Sequence, residues 1–156
     1  RGTTIANRFE KIFGSKYLYD ENDVAMWPAL AINYTTKTQY LFRINKGVHT
    51  VSDNKGVNKF VEEHDRPVPF ENMAFVGDGE TDIPCFRLIK EKGGLSVAVY
   101  PPRKKGGRTL ADGLLADGRV HSVAPADYTE GKKLDELIKA QIEMIAVREK
   151  LRAKAA

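Results

Sequence analysis

The sequence predicts an α/β fold built on a parallel sheet, and three observations predict it. Segments that read as strands at Met73–Val76, Leu95–Tyr100 and Val120–Ala124 alternate with helical patterns in the second half of the chain. The first run is wholly apolar, as suits a strand covered on both faces. A long helix with an apolar stripe at Leu134, Leu137, Ile138, Ile142 and Ile145 closes the series. Strand, helix, strand, helix, strand, helix is the order of a parallel sheet with crossover helices.

The elements follow in order. Ile5, Phe9, Ile12 and Phe13 recur at helical spacing before Gly14, which predicts an amphipathic helix. Tyr17–Tyr19 and Val24–Asn33 read as strands around the turn Asp20-Glu21-Asn22-Asp23, with Pro28 limiting the regularity of the second. Thr36 or Thr38 is placed to cap a helix from Thr38 to Asn45, stopped by Gly47. A second helical stretch is expected over Val57–Glu63, ahead of the turn-rich Arg66-Pro67-Val68-Pro69. After the strand at Met73–Val76, Ile83, Phe86 and Ile89 keep helical spacing, with Pro84 in the first turn and Gly93-Gly94 at the end. A short helix near Leu110–Leu115 separates the last two strands.

The bulk numbers bound the class. A chain of 156 residues, 42% hydrophobic and 29% charged, suits one globular domain or a large piece of one. The single cysteine, Cys85, forbids an intrachain disulfide, which fits a reducing, cytoplasmic setting. No apolar run reaches bilayer-spanning length, so no membrane partner is expected. A net charge of +4 favours a phosphate-bearing partner, but much of the excess sits in one loop (Arg103, Lys104, Lys105, Arg108) and in the last helix. Nucleic acid is therefore not the expected partner. The oligomeric state is left open.

Chemistry concentrates in Phe75-Val76-Gly77-Asp78-Gly79-Glu80-Thr81-Asp82-Ile83-Pro84. Two carboxylates, Asp78 and Asp82, stand at the junction of an apolar strand and a helix, where open α/β sheets bind ligands. Glycines on both sides of Asp78 allow a tight turn and close approach of a ligand. Two hard oxygen donors suit Mg²⁺, which keeps waters and substrate phosphate in its shell. Aspartates also serve as N-caps and turn formers, so the setting rather than the pair carries the argument. A calcium loop fails because Ile83 stands where its glycine belongs, and a dinucleotide fingerprint lacks its third glycine. His49, His64 and His121 are scattered, without zinc-ligand spacing, and Cys85 reads as a small packed hydrophobe. Trp27, Tyr17 and Tyr19 are expected in the core.

Gly77-Asp78-Gly79-Glu80-Thr81-Asp82 resembles the last motif of the haloacid dehalogenase-like hydrolases, in its phosphoserine-phosphatase-type form. Asn33-Tyr34-Thr35-Thr36-Lys37-Thr38-Gln39, through Lys46-Gly47, is similar to the family's lysine motif. The resemblance covers about Thr3 to Ala146 and implies a Rossmann-like, haloacid dehalogenase-like core. It implies Mg²⁺ as cofactor, bound by Asp78 with Asp82 as second ligand or support. Gly77, Gly79 and Thr81 would form the phosphate loop. Lys37 would stabilise charge on the nucleophile and the transferring phosphoryl group, with Lys46 the competitor for that role. The reaction implied is hydrolysis of a small phosphorylated metabolite through an aspartyl-phosphate.

The family's first motif, an aspartate nucleophile in D-x-D, is absent, since Asp20 and Asp23 have the wrong spacing. Thr3 and Thr4 are weak substitutes for its serine or threonine motif. Residues 1–156 therefore read as the C-terminal portion of one such domain, without its first strand, cut where Arg1 stands and inactive alone. Of three rivals, only the first remains in view. A catalytically dead relative acting as a binding module would use the basic loop Pro101–Arg108. A phosphorelay receiver would place its lysine after the acidic residues, whereas Lys37 precedes Asp78. A P-type ion pump shares a related loop but needs membrane spans.

Overall fold

The structure, a computed structural model, describes residues 4–103 and 106–155. Arg1, Thr3, Lys104 and Lys105, which enter the sequence reading, lie outside the described residues. The chain divides into two compact units on either side of Lys59 and Phe60.

In the first unit the helix expected at Ile5–Phe13 is replaced by one 3₁₀ turn, Ala6–Arg8. Ile5, Phe9 and Ile12 are all more than half exposed, so of the predicted apolar face only Phe13 is half-buried. Short helices owe their stability to such packing, and the periodicity alone does not hold one here. Strands β1 (Lys16–Tyr19) and β2 (Ala25–Leu30) form an antiparallel hairpin, shorter than expected at both ends of β2. Asp20 closes it by accepting the N–H groups of Asn22 and Val24 at 2.9 Å, with Asp23 at φ 58°. Pro28 lies opposite Tyr17 beside a register shift, which accommodates a residue that cannot donate to the ladder. The hairpin side chains are not core: Trp27 is 68% exposed, Tyr17 55% and Tyr19 60%. A two-stranded ribbon has no second layer to bury them.

Helix α1 spans Lys37–Asn45 and ends before Gly47, which takes φ 67°. Neither threonine supplies its cap. Asn33 does so, its Oδ1 accepting Thr35 N at 3.0 Å, Thr36 N at 3.2 Å and the Thr35 hydroxyl at 2.6 Å. Phe13 packs at a tilt on the buried Tyr40, ring centroids 5.1 Å apart. Helix α2 is Asn54–Asn58, earlier than the predicted Val57–Glu63. Asp53 starts it by accepting Gly56 N at 2.7 Å, and Lys46 Nζ ends it by donating to the carbonyls of Val57 at 2.8 Å and Lys59 at 2.6 Å. Only a 3₁₀ turn, Glu63–Asp65, follows.

The second unit contains the predicted α/β series. Strands β3 (Ala74–Gly77), β4 (Leu95–Tyr100) and β5 (Ser122–Pro125) form a parallel sheet in that order. They are connected through α3 (Ile83–Glu91) and α4 (Thr109–Ala116), and α5 (Lys133–Ala155) follows. One face of the sheet buries Ala98 and Val123 against Phe86 of α3 and Ala111 and Leu114 of α4. The other buries Val97, Val99 and Ala124 against Leu134, Leu137 and Ile138 of α5. Alternate residues of β4 thus serve opposite layers, as the period of a strand dictates. At an edge, β3 is less buried than its apolar run led one to expect: Ala74 is exposed and Phe75 and Val76 half-buried.

One helix detail departs from the sequence reading. Ile142 is 59% exposed, and Gln141 takes the inner position instead, donating to Glu71 O at 3.1 Å. Arg148 donates to Glu71 O at 3.0 Å and Asn72 Oδ1 at 3.2 Å, and Arg152 pairs with Glu71 and Glu149. Cys85 is fully buried among the α3 core, as expected.

Candidate functional site

The acidic loop lies where β3 ends and α3 begins. After Gly77 the chain turns through Asp78 and Gly79 into a 3₁₀ turn, Glu80–Asp82, that runs into α3 with Pro84 in its first turn. The two aspartates occupy opposite environments. Asp82 is 3% exposed, whereas Asp78 is exposed at the carboxyl edge of the sheet.

Asp82 stands at the N-cap position of α3 but makes no side-chain cap bond there. Its carboxylate turns back, and Oδ2 accepts the backbone N–H of Asp78 at 3.1 Å. The side chain therefore closes the loop on itself and fixes the backbone from which the Asp78 carboxylate projects. Gly77 makes this possible. A β-carbon there would lie 2.5 Å from Asp82 Oδ2 and 2.7 Å from Cγ, so any side chain would displace the carboxylate. Gly79 differs from the sequence expectation: its backbone is extended (φ −150°, ψ 174°) and a β-carbon would meet nothing within 4 Å. Its backbone conformation is open to any residue, so neither a turn nor packing requires glycine there. Thr81 is exposed beside the loop.

These residues form one constellation: Gly77, Asp78, Gly79, Thr81 and Asp82. Among the described residues no group of three or more His, Cys, Asp or Glu is gathered as a metal cage. Of the two carboxylates, Asp78 is the accessible one, while Asp82 is engaged by the loop backbone. One accessible carboxylate could serve only an ion that takes most of its shell from water and ligand oxygens, as Mg²⁺ does.

Lys37 belongs to the first unit and opens α1 directly after the Asn33–Thr36 cap. Lys46, at the other end of α1, has its ammonium on the carbonyls of Val57 and Lys59. Sequence spacing does not distinguish two lysines nine positions apart, and the two carbonyl partners of Lys46 give it a structural task. Arg43 was not singled out by the sequence. It is 1% exposed and donates to Thr50 O at 2.9 Å, Asp53 O at 3.0 Å and Asn54 Oδ1 at 3.0 Å. Nothing local in a helical arginine signals burial, because its partners are carbonyls of a loop the chain reaches later.

The basic loop after β4 leaves the same carboxyl edge as the acidic loop, since Gly77 pairs in parallel register with Ala98, two residues before Tyr100. Arg108 donates to Asp112 at 3.0 Å and lies over the Tyr100 ring, 5.8 Å from its centroid. The Asp112 carboxylate, and secondarily Tyr100, push the guanidinium pKa up. The histidines have ordinary partners. His49 lies 3.5 Å from Glu10, His64 lies 3.5 Å from Asp65, and His121 Nδ1 accepts Ser96 N–H at 3.2 Å.

No family model matches the chain. It is 28% identical over 127 residues to an uncharacterized protein of Borreliella burgdorferi, an alignment covering 80% of this chain and 41% of that relative. The chain thus spans about two fifths of the relative's length. No solved structure matches it. No helix among the described residues is long and apolar enough to cross a membrane.

Proposed function

We propose that this chain is the C-terminal part of a haloacid dehalogenase-like, Mg²⁺-dependent phosphohydrolase acting on a small phosphorylated metabolite. The observation that carries the reading is the acidic loop: a buried Asp82 carboxylate holding the Asp78 N–H, with Asp78 exposed at the carboxyl edge of a parallel sheet. Asp78 is the residue that would hold the metal, with Asp82 supporting it. When bound, Mg²⁺ would supply positive charge against the phosphoryl oxygens. The backbone of Gly77–Gly79 would admit the phosphate, and Lys37 would neutralise charge on the transferring group. The aspartate nucleophile would come from a part of the protein outside these residues. A relative more than twice as long as the aligned segment is consistent with that arrangement.

The test uses the intact protein that contains this chain. Hydrolysis of p-nitrophenyl phosphate is measured with and without Mg²⁺, for wild type and for Asp78→Asn. The reading expects Mg²⁺-dependent turnover and a loss in Asp78→Asn of about 100-fold or more. Absence of turnover in the wild type, or full Mg²⁺-dependent turnover in the variant, would remove the assignment. The first outcome would favour a non-catalytic binding role.

A further inference from the structure

Helix α5 carries two apolar faces, and the fold uses one. Leu134, Leu137 and Ile138 pack on the sheet, and Gln141 and Ile145, further along the same face, are buried and half-buried. Ala140, Met144, Val147 and Leu151 form a second stripe, rotated by about 100° from the first on a 3.6-residue helix. Its members are exposed, Met144 by 47%, Val147 by 57% and Leu151 by 64%. With Leu137 at its start the stripe alternates steps of three and four residues, the spacing of a coiled-coil seam. A seam is not required for packing within the fold, which is satisfied by the other face.

The helix presents this stripe rigidly. Gln141, Arg148, Glu149 and Arg152 are all tied to Glu71 or Asn72, so the C-terminal half of α5 is fixed to its own unit. Along the outer flank of the stripe, beyond Glu136, stand two exposed charges of opposite sign, Glu143 and Lys150. Neither forms an ion pair with another described residue.

We propose that two copies of this chain pair through α5, antiparallel about a two-fold axis. Met144 then packs against the partner's Val147, and Ala140 against the partner's Leu151. The same register brings Glu143 beside the partner's Lys150, twice by symmetry, as a self-complementary interface requires. Parallel pairing would instead oppose Glu143 to the partner's Arg148, whose guanidinium is already engaged by Glu71 and Asn72. The charge pattern therefore selects both the occupant and the direction. This pairing does not depend on the metal loop or on any activity.

Sedimentation equilibrium on the intact protein, from about 1 to 200 µM, reads the association. The wild type is expected to dimerise, and Val147→Glu to be monomeric across the range. Glu143→Lys and Lys150→Glu alone are each expected to weaken the dimer about tenfold, through like-charge contacts made twice. The double variant Glu143→Lys/Lys150→Glu is expected to return to within about threefold of wild type. Far-UV circular dichroism confirms that each variant, altered at an exposed position, is folded. A wild type that is monomeric throughout overturns the proposal and points to another segment of the protein covering the stripe. A dimer indifferent to Val147→Glu, or a double variant as weak as the singles, overturns it as well.

Discussion

At Gly77 a single methyl group is enough to test the acidic loop, because it would meet the Asp82 carboxylate at 2.5 Å. Gly77→Ala must push a buried carboxylate off the Asp78 N–H. An overpacking cost of about 1–3 kcal/mol is expected, together with loss of Mg²⁺-dependent activity in the intact protein. Gly79→Ala meets open space and an ordinary extended backbone, so the melting temperature should stay within about a degree of wild type. Thermal denaturation of the pair separates the two glycines, and equal destabilisation would count against the geometry. The lysines separate in the same way. Lys46→Met loses two carbonyl bonds, each worth about 1–2 kcal/mol from a charged donor, and should unfold earlier while the folded fraction keeps its turnover. On the proposed reading, Lys37→Met should lose turnover. A Lys46→Met protein that is fully stable but inactive would exchange the two roles.

Among the elements, α1 and α2 depend on one buried guanidinium. Arg43 joins α1 to the Thr50–Asn54 segment through three acceptors, all neutral and none a carboxylate. Arg43→Ala strands those acceptors and leaves a cavity where the buried side chain stood. A loss of about 2–4 kcal/mol in chemical denaturation is expected, with little recovery in Arg43→Lys, because an ammonium cannot span the same fork. A loss below about 0.5 kcal/mol would show the network to be incidental. The sheet in the second unit is organised differently. Its strands are held by apolar layers on both faces, with β3 and β5 as the two edges.

Across the whole molecule, acid stability has an identifiable contributor. Desolvation, and secondarily the positive charge of Lys90, hold the His121 imidazole below its ordinary pKa. Its Nδ1 accepts the Ser96 N–H only while unprotonated. A depressed folded-state pKa means that the unfolded chain binds the proton more readily. The stabilisation is therefore complete above about pH 6.5 and is lost as pH falls through the lower, folded-state value. Melting curves between about pH 7 and 5 should fall more steeply for wild type than for His121→Gln, in which carboxylate titration is unchanged. Parallel curves would dismiss the contribution of this imidazole.

Local chemistry determined much of this protein from sequence alone. The three parallel strands and their helices were legible because apolar alternation and glycine stops act within a few residues, as at Leu95–Tyr100 and Gly93-Gly94. The acidic loop was legible for the same reason: its glycines, carboxylates and proline lie within eight consecutive positions, Gly77 to Pro84. The tertiary structure alone decided where partners distant in the chain meet. Ile5–Phe13 has helical period, but of its apolar face only Phe13 finds a partner, in Tyr40, and the segment forms only a 3₁₀ turn. Trp27 has the composition of a core residue but lies on a ribbon with no second layer. The direction of the Asp82 carboxylate, the carbonyls that hold Lys46 and the burial of Arg43 depend on contacts with atoms outside the local helical pattern. Periodicity records which face of an element is apolar; it carries no information on what, if anything, covers that face, as the second stripe of α5 shows.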